Sequence, residues 1–282
     1  MLYITPSIHS LVERALAEDV GSGDVTTDCL IPPDIRGLGT IVAKAPGVIA
    51  GLEVALEVFR RCDPSVEARV LMADGSQVAP GNVVAEVEGT IGGILKAERV
   101  ALNFLQRLSA VATETSRYVK AVEGTGARIL ETRKTTPGLR ELEKYAVRVG
   151  GGHNHRQGLS DGVLIKDNHI ATLRSRGLTL EQIVRMARDR APHTLRIEVE
   201  VETVEEAREA LKAAPDAILL DNMSLEKMRE AVTMVKGRCL LEASGGVNLS
   251  NVRAVAETGV DLISVGALTH SVRAMDISLD MR

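Results

Sequence analysis

The chain has 282 residues, 45% hydrophobic and 26% charged, a globular composition long enough for one large domain or two smaller ones with a real core. Thirty-four Lys and Arg against 38 Asp and Glu leave a net charge of −4, so the overall field gives no nucleic-acid footprint and any anion site has to be local. With 3 Tyr, 2 Phe and no Trp, the chain lacks the stacking surfaces of single-strand binders, and its core must be aliphatic.

Cys29, Cys62 and Cys239 have neither CxxC spacing nor an even count, which argues against a disulfide framework or a zinc site and predicts reduced core thiols. The N-terminal MLYITPSIHSLVERALAEDV has no basic stretch followed by an apolar run. No window of about 18 uncharged apolar residues occurs elsewhere. A cytoplasmic protein without membrane or nucleic-acid partners is the expectation.

Ile8, Leu11, Val12, Ala15 and Leu16 recur at helical spacing after Pro6-Ser7 and predict an amphipathic helix ending near Gly21. The GSGDVTT that follows has two glycines and no preceding strand, so it reads as a capped turn rather than a phosphate loop. From Gly37 to Gly93 the strand-like runs TIVAKA, VIAG, EARVLMA and NVVAEVEG surround one helix near Leu52 to Arg61, a small α/β unit. Part of this stretch has the paired short strands of a lipoyl or biotinyl carrier, but no MKM-like lysine occupies the turn, so it reads as scaffold. Ile94 to about Val122 predicts a long helix joining two domains. Arg99 lies on it and, taken alone, belongs to a solvated helix face.

After Gly126 strands are expected at Ile129–Glu131, Val163–Lys166, Leu195–Val201, Ala217–Leu220, Leu240–Glu242 and Leu262–Val265, with helices between most of them. Thr179 with Gln182 and Thr203 with Glu206 predict capping boxes, and Thr136 followed by Pro137 predicts an N-cap with proline at the first helical position. Strand–helix alternation predicts a parallel sheet with right-handed crossovers, curling into a β/α barrel that need not be complete. The expected domains are 1–112, a smaller α/β domain, and 113–267, the barrel, with 268–282 packing back on the first.

Polar residues gather at the ends of these strands: Arg133-Lys134, Lys166-Asp167, Glu200, Asp221, Ser244 and His270. In a β/α barrel that face carries the active site. The densest stretch, Thr132 to His169, would bring Arg133, Lys134, His155, Arg156 and Lys166 into one pocket. Five such groups are costly together unless an anion such as a dicarboxylate neutralises them. The loops with Ser244, Gly245 and Gly246 and with Gly266, Ala267 and His270 follow the last two strands, where barrels commonly hold a phosphate; singly, each is an ordinary tight turn. Glu200 and Asp221 offer one carboxylate each from successive strands, the sparse ligation that magnesium on a pyrophosphate accepts. Glu198 and Glu202 share the parity of Glu200, so spacing does not choose among the three.

The uninterrupted strings TRKTTPGLR, GGGHNHRQGL and LIKDNH, with ALAEDVGSGDVTT before them and ASGGV and SVGALTH after, make the chain similar to the quinolinate phosphoribosyltransferase family over nearly its whole length. The resemblance implies an incomplete barrel behind a smaller N-terminal α/β domain. It implies transfer of phosphoribosyl from phosphoribosyl pyrophosphate to quinolinate with loss of carbon dioxide, assisted by Mg2+. It further implies that Arg99, Arg133, Arg156 and Lys166 contact quinolinate with Lys134 and His155 close by, that Glu200 and Asp221 serve the metal, and that Arg99 enters the neighbouring subunit of a homodimer. Competing readings are a relative acting on another heterocyclic acid, a barrel aldolase with Lys166 as Schiff-base nucleophile, which leaves the arginines unexplained, and a non-catalytic sensor of nucleotide precursors.

Overall fold

The computed structural model describes residues 2–281; Met1 and Arg282, which fall within the expected domains, lie outside the described residues. These residues divide into two compact units, 2–116 with 136–151 and 271–281, and 117–135 with 152–270. The first division falls inside the helix Ile91–Ala121, a few residues beyond the expected 112. Residues 136–151, expected within the barrel, belong instead to the first unit. There the helix Arg140–Val149 buries Leu142, Ala146 and Val147 in that unit's core. Its Tyr145 hydroxyl donates to Asp74 at 2.7 Å, and Gly150 leaves no room for a Cβ against the carbonyl of Ala112.

In the first unit an antiparallel sheet runs in the order Ile277–Met281, Arg36–Ala43, Val83–Thr90, Glu67–Val70. Its C-terminal strand comes from the end of the chain. Helices Pro6–Asp19 and Leu52–Cys62 and the first part of Ile91–Ala121 add Ile8, Leu56, Phe59, Ile94 and Leu105 to the aliphatic core. The second of these helices starts because Asp74 accepts the backbone N–H groups of Gly51 and Leu52 at 2.9 and 3.0 Å. The long helix begins three residues before the expected Ile94. Thr90 Oγ1 accepts the N–H of Gly93, and a Cβ at Gly93 would meet Asp63 at 2.6 Å, so glycine is what lets the first turn approach.

The second unit is a six-stranded, wholly parallel sheet in the order Arg128–Leu130, Leu262–Ser264, Leu240–Ser244, Ala217–Asp221, Ile197–Val201, Val163–Ile165. Every expected strand is present. A single parallel bridge from Leu130 to His153 extends one edge without closing the sheet, giving the incomplete β/α barrel. Along Ile197–Val201 the burial alternates, with Ile197, Val199 and Val201 buried in the apolar core and Glu198 and Glu200 directed to the opposite side. One side of the sheet therefore carries its stability and the other its chemistry.

Three local expectations need correction. Thr136 does not cap a helix: Pro137-Gly138 sits in a turn with Gly138 at φ +83°, and the helix starts only at Arg140. Thr136 instead donates its hydroxyl and N–H to Glu143 at 2.8 and 3.0 Å. Thr179 and Gln182 do form a reciprocal capping box, whereas Glu206 reaches past Thr203 to the N–H of Glu202. Cys29 is exposed rather than a core thiol; Cys62 and Cys239 are half-buried, and all three are free. No helix among the described residues is long and apolar enough to cross a membrane.

Candidate active site

Arg133, Lys134, His155, Arg156, Lys166, Glu200, Asp221, Ser244, Gly245, Gly246, Gly266, Ala267 and His270 all line one cavity of about 790 Å³ in the second unit. The parallel register explains the convergence. Glu200 and Glu242 both pair with Leu219, and Ser244 pairs with Asp221, so side chains of one parity project from neighbouring strands into one space. Arg99 does not line it. It lies on the long helix in the first unit, 58% exposed, its Nη2 3.8 Å from Glu98.

Each cation is aimed by its backbone. Lys134 follows the strand Arg128–Leu130 by a few residues; its N–H donates to Thr132 Oγ1 at 3.0 Å and its carbonyl accepts from Thr269 Oγ1 at 2.7 Å. Its aliphatic stem lies against Gly266, where a Cβ would sit 3.4 Å from Lys134 Cδ and 3.0 Å from His270 Nε2. Arg156 donates Nη1 to the carbonyl of Gly162 at 3.1 Å. Burial lowers its pKa and the neighbouring Arg133 guanidinium lowers it further, so the two charges share a confined space that an anion would relieve. Lys166 ends the strand Val163–Ile165; its N–H donates to His169 Nδ1 at 2.9 Å and its Nζ stands 3.5 Å from Glu200 Oε2.

The floor is built of carboxyl groups, which the cation-rich sequence did not suggest. Glu242, 2% exposed, holds Oε1 3.7 Å from His155 Nε2 without a hydrogen-bond partner, and Glu198 Oε2 is 3.2 Å from the same nitrogen. Burial, reinforced by the charge of Glu198, pushes the Glu242 carboxyl well above the usual carboxylate range. His155 Nδ1 accepts the N–H of Arg156 at 2.7 Å, so its proton sits on Nε2, facing Glu198. His155 therefore packs against the carboxyl groups of Glu198 and Glu242. This tautomer tells against a metal in the His155, Glu198 and Glu242 trio, whose donor atoms lie within 4.8 Å of one another, because a metal on Nε2 would shift the proton onto the nitrogen that already accepts one.

At the rim Glu200 is the member of its parity set that opens into the cavity; Glu198 turns to His155 and Glu202 is exposed. Burial raises the Glu200 pKa, Lys166 opposes this, and the Asp221 charge adds to it, so Glu200 and Asp221 share a field a cation would relieve. Gly245 and Gly246 both take left-handed φ, +89° and +63°, turning the chain sharply after Ser244. Sequence reasoning missed Asn222, Glu242, Ser264 and Thr132 as lining residues. A carboxylate inside the apolar run of Leu240–Ser244 was the available signal for Glu242.

The quinolinate phosphoribosyl transferase C-terminal domain matches residues 111–280, and the N-terminal domain of the same family matches residues 24–109. The chain belongs to the quinolinate phosphoribosyl transferase family. It is 42% identical over 274 residues to the probable nicotinate-nucleotide pyrophosphorylase (carboxylating) of Bacillus subtilis, covering 97% of this chain and 93% of that protein. It is 45% identical over 276 residues to the nicotinate-nucleotide pyrophosphorylase (carboxylating) of Mycobacterium leprae, covering 96% and 95%. The fold superposes on NadC from Streptococcus pyogenes with a TM-score of 0.94 at 40% identity, covering 100% and 99% of the two chains. On the nicotinate-nucleotide pyrophosphorylase of Ehrlichia chaffeensis the TM-score is 0.91 at 38% identity, with both chains fully covered. The TRKTTPGLR and GGGHNHRQGL strings of this quinolinate phosphoribosyl transferase family member supply Arg133, Lys134, His155 and Arg156 to the cavity.

Proposed function

We infer that this member of the family transfers the phosphoribosyl group of phosphoribosyl pyrophosphate to quinolinate with decarboxylation, releasing nicotinate mononucleotide, pyrophosphate and carbon dioxide in NAD biosynthesis. The observation that carries the reading is that one cavity is lined both by the cations Arg133, Arg156 and Lys166 and by Glu200, Asp221 and the Gly245-Gly246 turn. The first group suits a dicarboxylate and the second a metal-bound pyrophosphate sugar.

The chain's own work is positioning and electrostatics. Arg133, Arg156 and Lys166 hold the carboxylates and so orient the ring nitrogen toward the sugar carbon. The backbone N–H groups of the Ser244–Gly246 and Gly266–Ala267 loops hold the 5'-phosphate, with His270 beside them. Glu200 and Asp221 fit Mg2+, since they give two oxygen donors from adjacent strands and leave positions for water and substrate oxygens. When bound, that ion stabilises the charge of the departing pyrophosphate. Once the ring nitrogen is quaternised it becomes an electron sink, and the C2 carboxylate leaves as carbon dioxide. Lys134 meets that carboxylate or supplies the replacing proton. No covalent nucleophile is required. The working unit is a homodimer in which Arg99 of one subunit completes the quinolinate site of the other, a reading supported by its exposure on a helix outside the cavity-lining set.

The test is to mix purified protein with phosphoribosyl pyrophosphate, Mg2+ and quinolinate, and to follow carbon dioxide and mononucleotide. Failure of both to form overturns the reading in favour of a binding protein.

A further inference from the structure

Asn222 touches two parts of the site at once. It is one of three non-glycine residues among those described with positive φ, at +51°, a conformation that Asn tolerates better than most side chains. Its Nδ2 donates to Asp221 Oδ2 at 2.8 Å, and its N–H donates to the carbonyl of Ser244 at 2.9 Å. The amide then packs against Gly245 so closely that a Cβ on Gly245 would overlap Asn222 Oδ1 and Cγ. Asp221 and Ser244 are already register partners in the parallel sheet. Asn222 thus fixes how the carboxylate at the end of one strand and the turn at the end of the next stand to each other.

We propose that Asn222 is a positioning residue for phosphoribosyl pyrophosphate, holding the Asp221 carboxylate and the Ser244–Gly246 turn in one mutual arrangement so that the cation and phosphate subsites form together. The inference rests on the functional reading above and deepens it. A carboxylate has two oxygens, and the amide engages Oδ2, leaving Oδ1 and a defined rotamer for the cation. The same amide fills the space beside Gly245. Glycine suits the left-handed φ of the turn, and the space a Cβ would take at Gly245 is occupied by the Asn222 amide. Deleting the amide removes the restraint on Asp221 and the wall of the turn together. The cations for the dicarboxylate come from Arg133, Arg156 and Lys166, none of which is among the hydrogen-bond partners of Asn222 just described.

Two substitutions divide the contributions. Asn222→Asp keeps the shape but puts an acceptor beside Asp221. Asn222→Gly keeps the left-handed backbone and its N–H to Ser244 but deletes the amide. Binding of Mn2+, of phosphoribosyl pyrophosphate with Mn2+, and of quinolinate is titrated separately by calorimetry and, for Mn2+, by electron paramagnetic resonance, on full-length protein whose melting is checked. Asn222→Gly is expected to weaken Mn2+ and phosphoribosyl pyrophosphate binding about 10- to 100-fold, and Asn222→Asp, whose added carboxylate itself attracts the cation, to weaken phosphoribosyl pyrophosphate binding, with quinolinate binding unchanged and the lost rate partly recovered at saturating phosphoribosyl pyrophosphate. Should Asn222→Asp fail to fold, Asn222→Gly alone is decisive, since it retains the backbone geometry. Wild-type affinity in the folded variants, or equal weakening of phosphoribosyl pyrophosphate and quinolinate, overturns the inference while leaving the function standing. A wild-type chain that binds neither substrate overturns the function and this inference with it.

Discussion

Lys166 Nζ and Glu200 Oε2 stand 3.5 Å apart at the ends of two neighbouring parallel strands, pairing one group assigned to the dicarboxylate with one assigned to the metal. Lys166 is 47% exposed, so the pair is screened and contributes about 0 to 1 kcal/mol. Substrates can separate it at little cost. Glu200→Gln should therefore leave quinolinate affinity unchanged or improve it, because Lys166 loses a competing anion, while metal-dependent binding of phosphoribosyl pyrophosphate falls. Separate titrations of the two ligands decide this; a variant that loses quinolinate as severely as phosphoribosyl pyrophosphate contradicts that assignment.

Quinolinate should be used far better than nicotinate. Arg133 stands close enough to Arg156 to lower its pKa, and in the proposed reading the C2 carboxylate relieves that crowding. A lost charge-assisted hydrogen bond costs roughly 1.5 to 3 kcal/mol, or about 10- to 100-fold in affinity. Comparable kcat/KM for the two acids would sink the dicarboxylate assignment, and Arg133→Ala should erase most of the preference.

The carboxylate floor predicts a pH dependence of stability. Glu242 has its pKa raised by burial and by Glu198, so the folded protein holds a proton that the unfolded chain releases above about 4.5. The unfolded state binds fewer protons in that range, and stability falls as pH rises from there through the elevated folded value. Glu242→Gln keeps the shape and removes the titration. Denaturant midpoints measured between pH 5 and 8 should fall more steeply with pH for the wild type than for the variant. Parallel curves would mean that Glu242 is ionised throughout.

The strands, the barrel-like parallel sheet and the clustering of chemistry at strand ends were legible because each depends on local pattern: apolar runs of five or so residues and polar groups that follow them. What escaped depends on register between distant segments. Glu200 and Glu242 become neighbours of Leu219 only through strand pairing, and the partner of Asn222 across the gap is Gly245, which lies 23 positions later in the chain. His155 reads as part of a cation cluster in the sequence, whereas in the fold its Nδ1 faces the Arg156 N–H and its Nε2 stands 3.2 Å from Glu198. Residues 136–151 left the barrel for a similar reason: the Pro137-Gly138 turn delays the helix to Arg140, and its apolar face fits the first unit's core.

The shared site can be tested by complementation. Arg99 lies on the helix Ile91–Ala121 and Lys134 at the end of the first parallel strand, in different units of the chain. If Arg99 serves the neighbouring subunit, Arg99→Ala and Lys134→Ala should each be nearly inactive alone. Unfolded together and reassembled, they form mixed dimers in which the barrel with intact Lys134 faces the partner domain that still carries Arg99. That composite site is whole, while the other lacks both groups. If Arg99 serves its own barrel, each site in a mixed dimer lacks one of the two, and mixing restores nothing. Activity of the reassembled mixture is compared with each variant reassembled alone, and subunit exchange is verified by mass labelling. Recovery on mixing is the expected outcome; complete exchange with no recovered activity would refute the shared site.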